Sequence, residues 1–547
     1  MEKKSKVTEK ILKALKMLLR IVLFLILGLL LFVLALQIPS VQTRVTRLLT
    51  NYITENTGFQ TSIDKVKIRW WDAVSLEDVT IYDQQDSLMI NLEEVYIDFS
   101  VKGLLDRENP SLDQIKLING NVRIIGHEGA DDLNISEFFN QINGLIPKSG
   151  SEKAKVKFSI GNIFLEETSL DIINYAAIPV TGGFDYNKLR FRDLLADADD
   201  FYTFEGEIGF QTNFLKGIEI TSGIVIQQLK TKFTYAPTFM EFDDLFLRSN
   251  ETEIKDYLKF SYESVKALSN FNEEVQIQAR LNESRLNIKD LQYFSDQIPN
   301  FEDRITLSGD IVGQVNDLAS DQLLIRFGQR SALFGKFDIQ GLPDVSNTFF
   351  QMSLLNSILS SEDLSPYISQ EARSEVDKFR DIRFDTDFSG YLSNFTANGN
   401  FRTGIGQIIG RLNYKLSNRQ PTYNGRVELR DLDLGILLED RENFQKVSLT
   451  GQIRGTGLTL ESALLQVDAN IKRVGINNYN YSNIISNATY GKDLFSGKLN
   501  VNDPNLKAKF DGVLDLRDNK DSIRLNVQVD TAYLKELNIL DKEVFVS

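Results

Sequence analysis

The chain has 547 residues, 42% of them hydrophobic, and a net charge of −15, enough length for a large core or several domains. It has no cysteine and one histidine, His127, which excludes disulfides, thiolate metal sites, His-based metal clusters and Ser/Cys–His catalysis. Seven Lys/Arg against two Glu in residues 1–20 leave the remainder at −20, and such an acidic body excludes nucleic acid as a partner, because phosphates need a basic surface.

From the N-terminus, residues 1–16 form a basic tail with Lys3, Lys4, Lys6, Lys10, Lys13 and Lys16. Residues 21–36, "IVLFLILGLLLFVLAL", contain no polar side chain. With their neighbours they predict a helix over 17–38, roughly 33 Å long at ~1.5 Å per residue, which matches a hydrocarbon core of about 30 Å. Ile21, Leu25, Leu29, Phe32 and Leu36 are its membrane-facing candidates, and Arg20 falls where it can snorkel to headgroups. A cleaved signal peptide is the competing reading, disfavoured by the length of the run and by "LALQIPS", which lacks a small-x-small site. The lysines place the N-terminus in the cytoplasm, so the expectation is a single-pass inner-membrane anchor with the body in the periplasm.

Residues 39–58 read as an amphipathic helix, with Val41, Val45, Leu48, Leu49, Tyr52 and Ile53 at helical spacing, Pro39 at the start and Gly58 as the stop. It is expected either to lie against the membrane or to plug the first end of the β-structure. Trp70 and Trp71, the two tryptophans, follow; adjacent strand residues face opposite sides, so one is expected to enter the β-structure and one to face out, and the pair are candidate interfacial anchors, with plain packing over the first rung as the alternative.

The body, taken as 59–347 and 381–547 around a helical insert at 348–380, is mainly β. Alternation runs through Val95, Ile97, Phe99 and Val101, through Leu307, Gly309, Ile311 and Gly313, and through Tyr423, Gly425, Val427 and Leu429. It recurs in Leu449, Gly451, Ile453 and Gly455, in Leu499 and Val501, and in Ile523, Leu525, Val527 and Val529. In "NLKAKFDGVLDL" Leu506, Ala508, Phe510, Gly512, Leu514 and Leu516 form one face, while Lys507, Lys509, Asp511 and Asp515 lie on the other. The joins "NDPN" (502–505) and "RDNKD" (517–521) are turn-like, so 497–530 is expected to be a three-strand antiparallel meander. "TLSGDIVG" (306–313) and "SLTGQIRG" (448–455) echo each other, as similar rungs of one long sheet would. Helical pieces are expected at 132–145, 284–298 and 348–379.

Three architectures suit such strands. A sandwich pairs the apolar faces into a dry core; a membrane barrel puts them outside; a sheet curled into a U-shaped trough leaves them lining a channel that needs an apolar guest. The anchor favours the trough. Its candidate lining is Leu307, Ile311, Val427, Leu429, Leu449, Ile453, Leu499, Val501, Leu506, Phe510, Leu514, Leu516, Leu525 and Val527.

The N-terminal layout, "VQTRVTRLLTNYITENTGFQTSIDKVKIRWWDAVSLEDVTIYD" after a basic tail and apolar helix, resembles the AsmA-like superfamily. The stretches 423–440, 447–484 and 495–516 resemble its TamB (translocation and assembly module) branch as found in Bacteroidetes. The resemblance implies an elongated, U-sectioned β-groove between inner and outer membranes, carrying phospholipid or another acyl-chain lipid. It also implies a role, with a barrel partner, in assembling outer-membrane proteins. The family's C-terminal domain, which meets that partner, has no counterpart here, and "KEVFVS" reads as the start of another strand, as in a fragment or a short paralogue. On the order of 20–25 rungs at ~4.8 Å reach about 100 Å.

No motif suggests catalysis or a cofactor: there is no phosphate loop and no G-x-S-x-G elbow. His127 beside Glu128, Asp131 and Asp132 reads as a polar turn, as do "LADADD" (195–200) and the cluster Asp431, Asp433, Glu439 and Asp440. The expected function is therefore lipid transfer without enzymatic activity or cofactor; the alternative is a scaffold that receives nascent strands by β-augmentation.

Overall fold

A computed structural model describes residues 38–69, 72–106, 109–130, 133–145, 157–175, 185, 187–294, 304–368, 370–417, 420–457, 462–517, 522–539 and 545–546, with residues 17, 27 and 28 before them. Of the predicted spanning segment, Arg20, Ile21, Leu25, Leu29, Phe32 and Leu36 lie outside the described residues, and so do Trp70 and Trp71. Among the described residues no helix is long and apolar enough to cross a membrane.

The chain divides into two compact units, Met1–Phe271 and Asn272–Ser547. The first opens with α1 (Pro39–Thr57), which starts at Pro39 and ends where Gly58 (φ 76°) donates its N–H to the Thr54 carbonyl at 3.0 Å, as its sequence predicts. Strands β1 (Thr61–Arg69), β2 (Ala73–Tyr82) and β3 (Leu88–Asp98) form a meander, followed by α2 (Val101–Leu105) and β4 (Ser111–Gly126). The alternation expected to reach Val101 therefore stops at Asp98, where the Ser100 hydroxyl caps α2.

Helix α3 (Asn134–Leu145) then crosses back to β5 (Phe158–Asn174), which lies parallel to β4 with Ile115 opposite Ile163 and Ile125 opposite Ile173. Parallel neighbours need such a crossover; antiparallel pairing governs the rest of the unit, through β6 (Lys188–Phe204), β7 (Glu207–Glu219), β8 (Ile224–Ala236), β9 (Phe239–Ser249) and β10 (Thr252–Ser261). Helices α1 and α3 close one end of the apolar face: Phe59 and Phe138 meet edge to face at 5.1 Å beside Met89 and Leu92, both under 3% exposed.

The second unit is a continuous antiparallel meander in which each strand pairs with the next in sequence. It runs through β11 (Gln276–Asn287), β12 (Arg304–Gln314), β13 (Asp317–Phe327), β14 (Ser331–Gln340) and β15 (Phe349–Ser360). It continues through β16 (Asp381–Tyr391), β17 (Asn394–Thr403), β18 (Gly406–Ser417), β19 (Gln420–Asp433) and β20 (Phe444–Thr456). Strands β21 (Leu464–Ile476), β22 (Tyr479–Gly491), β23 (Leu494–Asn502), β24 (Leu506–Asp515), β25 (Ser522–Tyr533) and β26 (Phe545–Val546) complete it. The predicted meander over 497–530 is present as β23 to β25.

Three expected helical regions shrink. At 284–298 helix is limited, among the described residues, to Ile288–Leu291, preceded by β11. Within 348–380 the stretch "FFQMSLLNSIL" is strand β15, and helix is confined to Ser361–Leu364, a turn at Ser365–Tyr367, and Gln370–Asp377. Asn356 (φ 47°) forms a bulge in β15, and the added residue turns a spacing of two into three, which imitates a helix in the sequence. The third, 132–145, is helical from Asn134.

Candidate functional site

Directly opposed residues of an antiparallel sheet face the same side, so the register places side chains in rows that run across the strands. One row crosses fifteen strands from β11 to β25. Its first half is Leu281, Gly309, Leu323, Gly335, Leu354, Thr386, Gly399 and Gly410. Its second half is Val427, Gly451, Ala469, Ser486, Leu499, Phe510 and Val527.

A second row, over the same strands, begins at Ile277, Gly313, Leu318, Ile339, Phe350 and Gly390 and ends at Tyr490, Phe495, Leu514 and Ile523. A third passes through Phe384, Phe401, Ile408, Leu429, Leu449, Ile471, Ile484, Val501 and Ala508. A fourth contains Ile453, Val467, Ala488, Gly497, Gly512 and Leu525. The echoing octapeptides occupy matching places, for Gly309 and Gly451 share the first row and Gly313 and Gly455 share the second.

Ten of the fourteen predicted lining residues fall on these rows. Val427, Leu499, Phe510 and Val527 share one; Leu429, Leu449 and Val501 another; Ile453 and Leu525 a third; Leu514 stands on the remaining one. Leu307 faces Ile325, Ile311 faces Ala279 within a cluster around Leu323 and Phe337, and Leu506 faces Ala532. Leu516 lies just past β24 and is exposed.

Depth varies along the surface. Val427, Leu449 and Val501 are buried in a cluster with Val447, Val467 and Ile484, whereas nine of the lining residues are half-buried. On β25 the face opens to solvent, with Ile523 66% and Val527 42% exposed. The few polar side chains on the rows are satisfied internally: Thr386 donates to the Asn398 carbonyl at 3.2 Å, and Ser486 to the Val467 carbonyl at 3.2 Å. Ser486 also meets the Tyr490 hydroxyl at 2.8 Å, and burial raises the pKa of that phenol.

The reverse face carries Arg426, Gln452, Asp468, Asn487, Lys498 and Asp511 in one row, all exposed, with Lys498 and Asp511 paired at 3.2 Å. The sheet of the second unit is thus apolar on one side and charged on the other.

In the first unit the comparable surface is aromatic. Phe210, Phe233 and Phe242 stack across β7, β8 and β9 with ring centroids 5.0 Å apart at each step, and Phe242 continues to Phe260 at 6.2 Å. Sequence reading missed this ladder. The alternating "KFTYA" and "FMEF" carry its signal, but Phe210, Phe233 and Phe242 come together only through cross-strand pairing, which alternation within one strand does not reveal.

The polar motifs resolve into structural roles. His127 is more than a polar turn: its Nε2 lies 2.7 Å from Asp83 Oδ2, and Asn134 donates to the same oxygen at 3.2 Å. Burial pushes the Asp83 carboxyl up, but His127, the Ser87 N–H and Asn134 outweigh it and hold the group below its ordinary value. Residues 195–200 are strand rather than turn, with Asp197 and Asp199 accepting from Asn162 at 2.6 and 2.8 Å. Asp433 caps Leu434–Leu437 through the Ile436 N–H, Asp440 accepts from the Asn443 N–H, and Asp431 pairs with Arg473. Asp131 and Asp132 lie outside the described residues. Among the described residues no group of acidic or His side chains could hold a metal ion. The chain matches no protein-family model, no curated protein and no solved structure.

Proposed function

We propose that the apolar face of the sheet carries acyl chains, and that the protein is an inner-membrane-anchored, periplasmic lipid-transfer protein that moves phospholipid toward the outer membrane along a U-shaped groove. The observation that carries this reading is the set of continuous apolar rows in the second unit, two of them crossing fifteen strands. Rows that run across strands give an acyl chain an uninterrupted path, whereas a pocket would hold it in one place. Each methylene kept out of water along such a path is worth about 0.8 kcal/mol, so a lipid sliding between rungs avoids the cost of desorbing. Deep burial of Val427, Val447 and Val501, in a unit that contributes no second sheet among the described residues, supports a face folded toward itself. No cofactor is assigned, and the energy for directional flow belongs to partners.

A second reading rests on β25. Its described pairing with β26 involves Ala532 and Tyr533, and in this reading the rest of its outer edge receives a strand. That edge suits a scaffold for outer-membrane protein assembly.

Photo-crosslinking in membranes separates the readings. Crosslinkers at Phe510 and Leu514 are expected to capture lipid, while those at Lys509 and Asp511, exposed or on the reverse face, capture none. Peptide adducts along Ser522–Thr531 would favour the scaffold. Adducts confined within the chain at Phe510 and Leu514 would make the face a closed core and end the transfer reading.

A further inference from the structure

Helix α1 is inside out. Its buried face is built from Thr46, Thr50 and Thr57, which are 3%, 8% and 3% exposed. Each hydroxyl is turned back onto the helix, to the carbonyls of Gln42, Arg47 and Ile53 at 2.8, 3.2 and 2.7 Å. This face packs toward β1 and α3, and the end of the helix is fastened there by Thr61 N–H to Thr54 Oγ1 at 3.1 Å and by Gln84 to the Thr57 carbonyl at 2.9 Å.

Apart from Ile53, the apolar residues fall on the opposite side, with Val41 and Val45 half-buried there and the others exposed. Val41, Val45, Leu48, Leu49 and Tyr52 fall at i, i+4, i+7, i+8 and i+11, one stripe of a helix. Leu48 is 71%, Leu49 49% and Tyr52 53% exposed. A helix bathed in water would gain by the reverse arrangement, since a buried leucine side chain contributes roughly 1.5–3 kcal/mol over an exposed one.

We infer that this stripe lies in the interfacial layer of a phospholipid bilayer. Three observations choose lipid over another protein. Only Gln37 and Ile38 separate the helix from the wholly apolar run 21–36, and Pro39 at the first helical position lets the chain change direction there. Ile38, at the start of the helix, and Leu27, within that run, are each about half exposed. Arg44 and Arg47, both exposed, flank the stripe on its polar side, and the first turn carries no acidic residue, a charge pattern that complements lipid phosphates. Helix α1 thereby has two roles, closing the end of the first unit's apolar face with its threonines and seating that end on the membrane with its leucines.

This inference rests on the membrane-anchored reading, and the test separates the two. The chain has no cysteine, so single cysteines introduced by Leu48→Cys, Tyr52→Cys, Asn51→Cys and Leu27→Cys each accept one nitroxide label. The full chain is reconstituted in vesicles of phosphatidylethanolamine and phosphatidylglycerol, and the label's collision rates with oxygen and with a water-soluble nickel complex are measured. Labels at 48 and 52 are expected to meet oxygen far more than nickel, and a label at 51 to meet nickel. Nickel access at 48 and 52 equal to that at 51 overturns the inference. Shielding of both from oxygen and nickel alike also overturns it, because the cover is then protein, either residues 21–36 folded back or a second copy. The Leu27 label reports the anchor alone: lipid there with water at 48 removes the helix contact and leaves the anchor standing, whereas water at Leu27 removes the anchored reading itself.

Discussion

Within the strands of the first unit, seven residues have positive φ and none is glycine: Asp78, Asn119, Glu167, Asp193, Asp200, Asp244 and Asp256. In the strands of the second unit eight glycines have positive φ, among them Gly390, Gly410, Gly497 and Gly512, alongside Glu283, Asn356, Asp431 and Asn483. The two kinds of residue distort a strand differently. Glu167, Asp193, Asp244 and Asp256 each accompany a slip in register against the neighbouring strand. That is the signature of an inserted residue, which moves all later side chains to the other face of the sequence pattern. The pairings around Gly390, Gly410 and Gly497 have no slip. Glycine lets the backbone close up while the count of two is kept.

The largest effect should follow from filling one of those glycines. A Cβ at Gly410 would stand 2.2 Å from the Arg426 carbonyl oxygen and 2.9 Å from Val427 Cα, at φ +145°. Gly410→Val is expected to cost about 3–5 kcal/mol, combining backbone strain with overpacking, and to lower the urea midpoint at constant m-value. A Gly410→Val variant as stable as the parent would mean that the second unit does not depend on glycine for its close strand approach, and the contrast between the units would fail.

In the sequence, the meander over 497–530 and the echoing octapeptides were legible because period two survives there, and the helix from Pro39 to Gly58 because its apolar residues keep helical spacing between a proline start and a glycine stop. Around Val427 to Phe510 the alternation within each strand was legible, and the pairing places most of those apolar residues in shared rows. In the first unit the Phe210, Phe233 and Phe242 ladder lies in unslipped pairings and went unread because its residues come from three separate strands. Other misses have a different cause, distance along the chain. The parallel pairing of β4 with β5 depends on α3 between them, and the partner of His127 is Asp83, 44 positions away. Strand β15 was mistaken for helix through the single bulge at Asn356, and α1 was correctly placed while the sequence left open which of its faces would be buried.

A smaller effect tests where the units agree. Each has a buried carboxylate that ties down a turn. Glu219 accepts from the Ser222 hydroxyl at 2.6 Å and from the Arg190, Ser222 and Thr221 amides. Asp503 accepts from the Tyr479 hydroxyl at 2.5 Å, the Asn505 amide, and the hydroxyl and amide of Ser482. Burial pushes both carboxyls up, and the hydrogen bonds outweigh it, leaving both below their ordinary values. A depressed folded pKa gives stability that is complete above the unfolded value and lost as pH falls through the folded one. Both units should therefore weaken below about pH 4. Asp503→Asn is expected to cost about 2 kcal/mol at neutral pH and to flatten that acid limb in the second unit only. Hydrogen exchange followed separately in the two units checks this, and an equal loss in both would show that they unfold together.

The smallest effect bears on the bulges themselves. Asp193 is exposed, has φ 54°, and sits where the pairing of β6 with β7 slips between Arg192 and Leu195. Replacing it with glycine removes the left-handed penalty of roughly 1–2 kcal/mol but adds about 0.5–1 kcal/mol of chain entropy to be lost on folding. Asp193→Gly should thus shift stability by about 0–1.5 kcal/mol, in the stabilising direction. Asp193→Val, β-branched at a positive φ, should cost about 1–2 kcal/mol. The urea midpoints of the two variants give the sign directly. If valine is tolerated as well as glycine, the strand has re-registered without its bulge, Leu194 and Ala196 have left the apolar face, and a bulged strand is no more fixed in the first unit than an unbulged one.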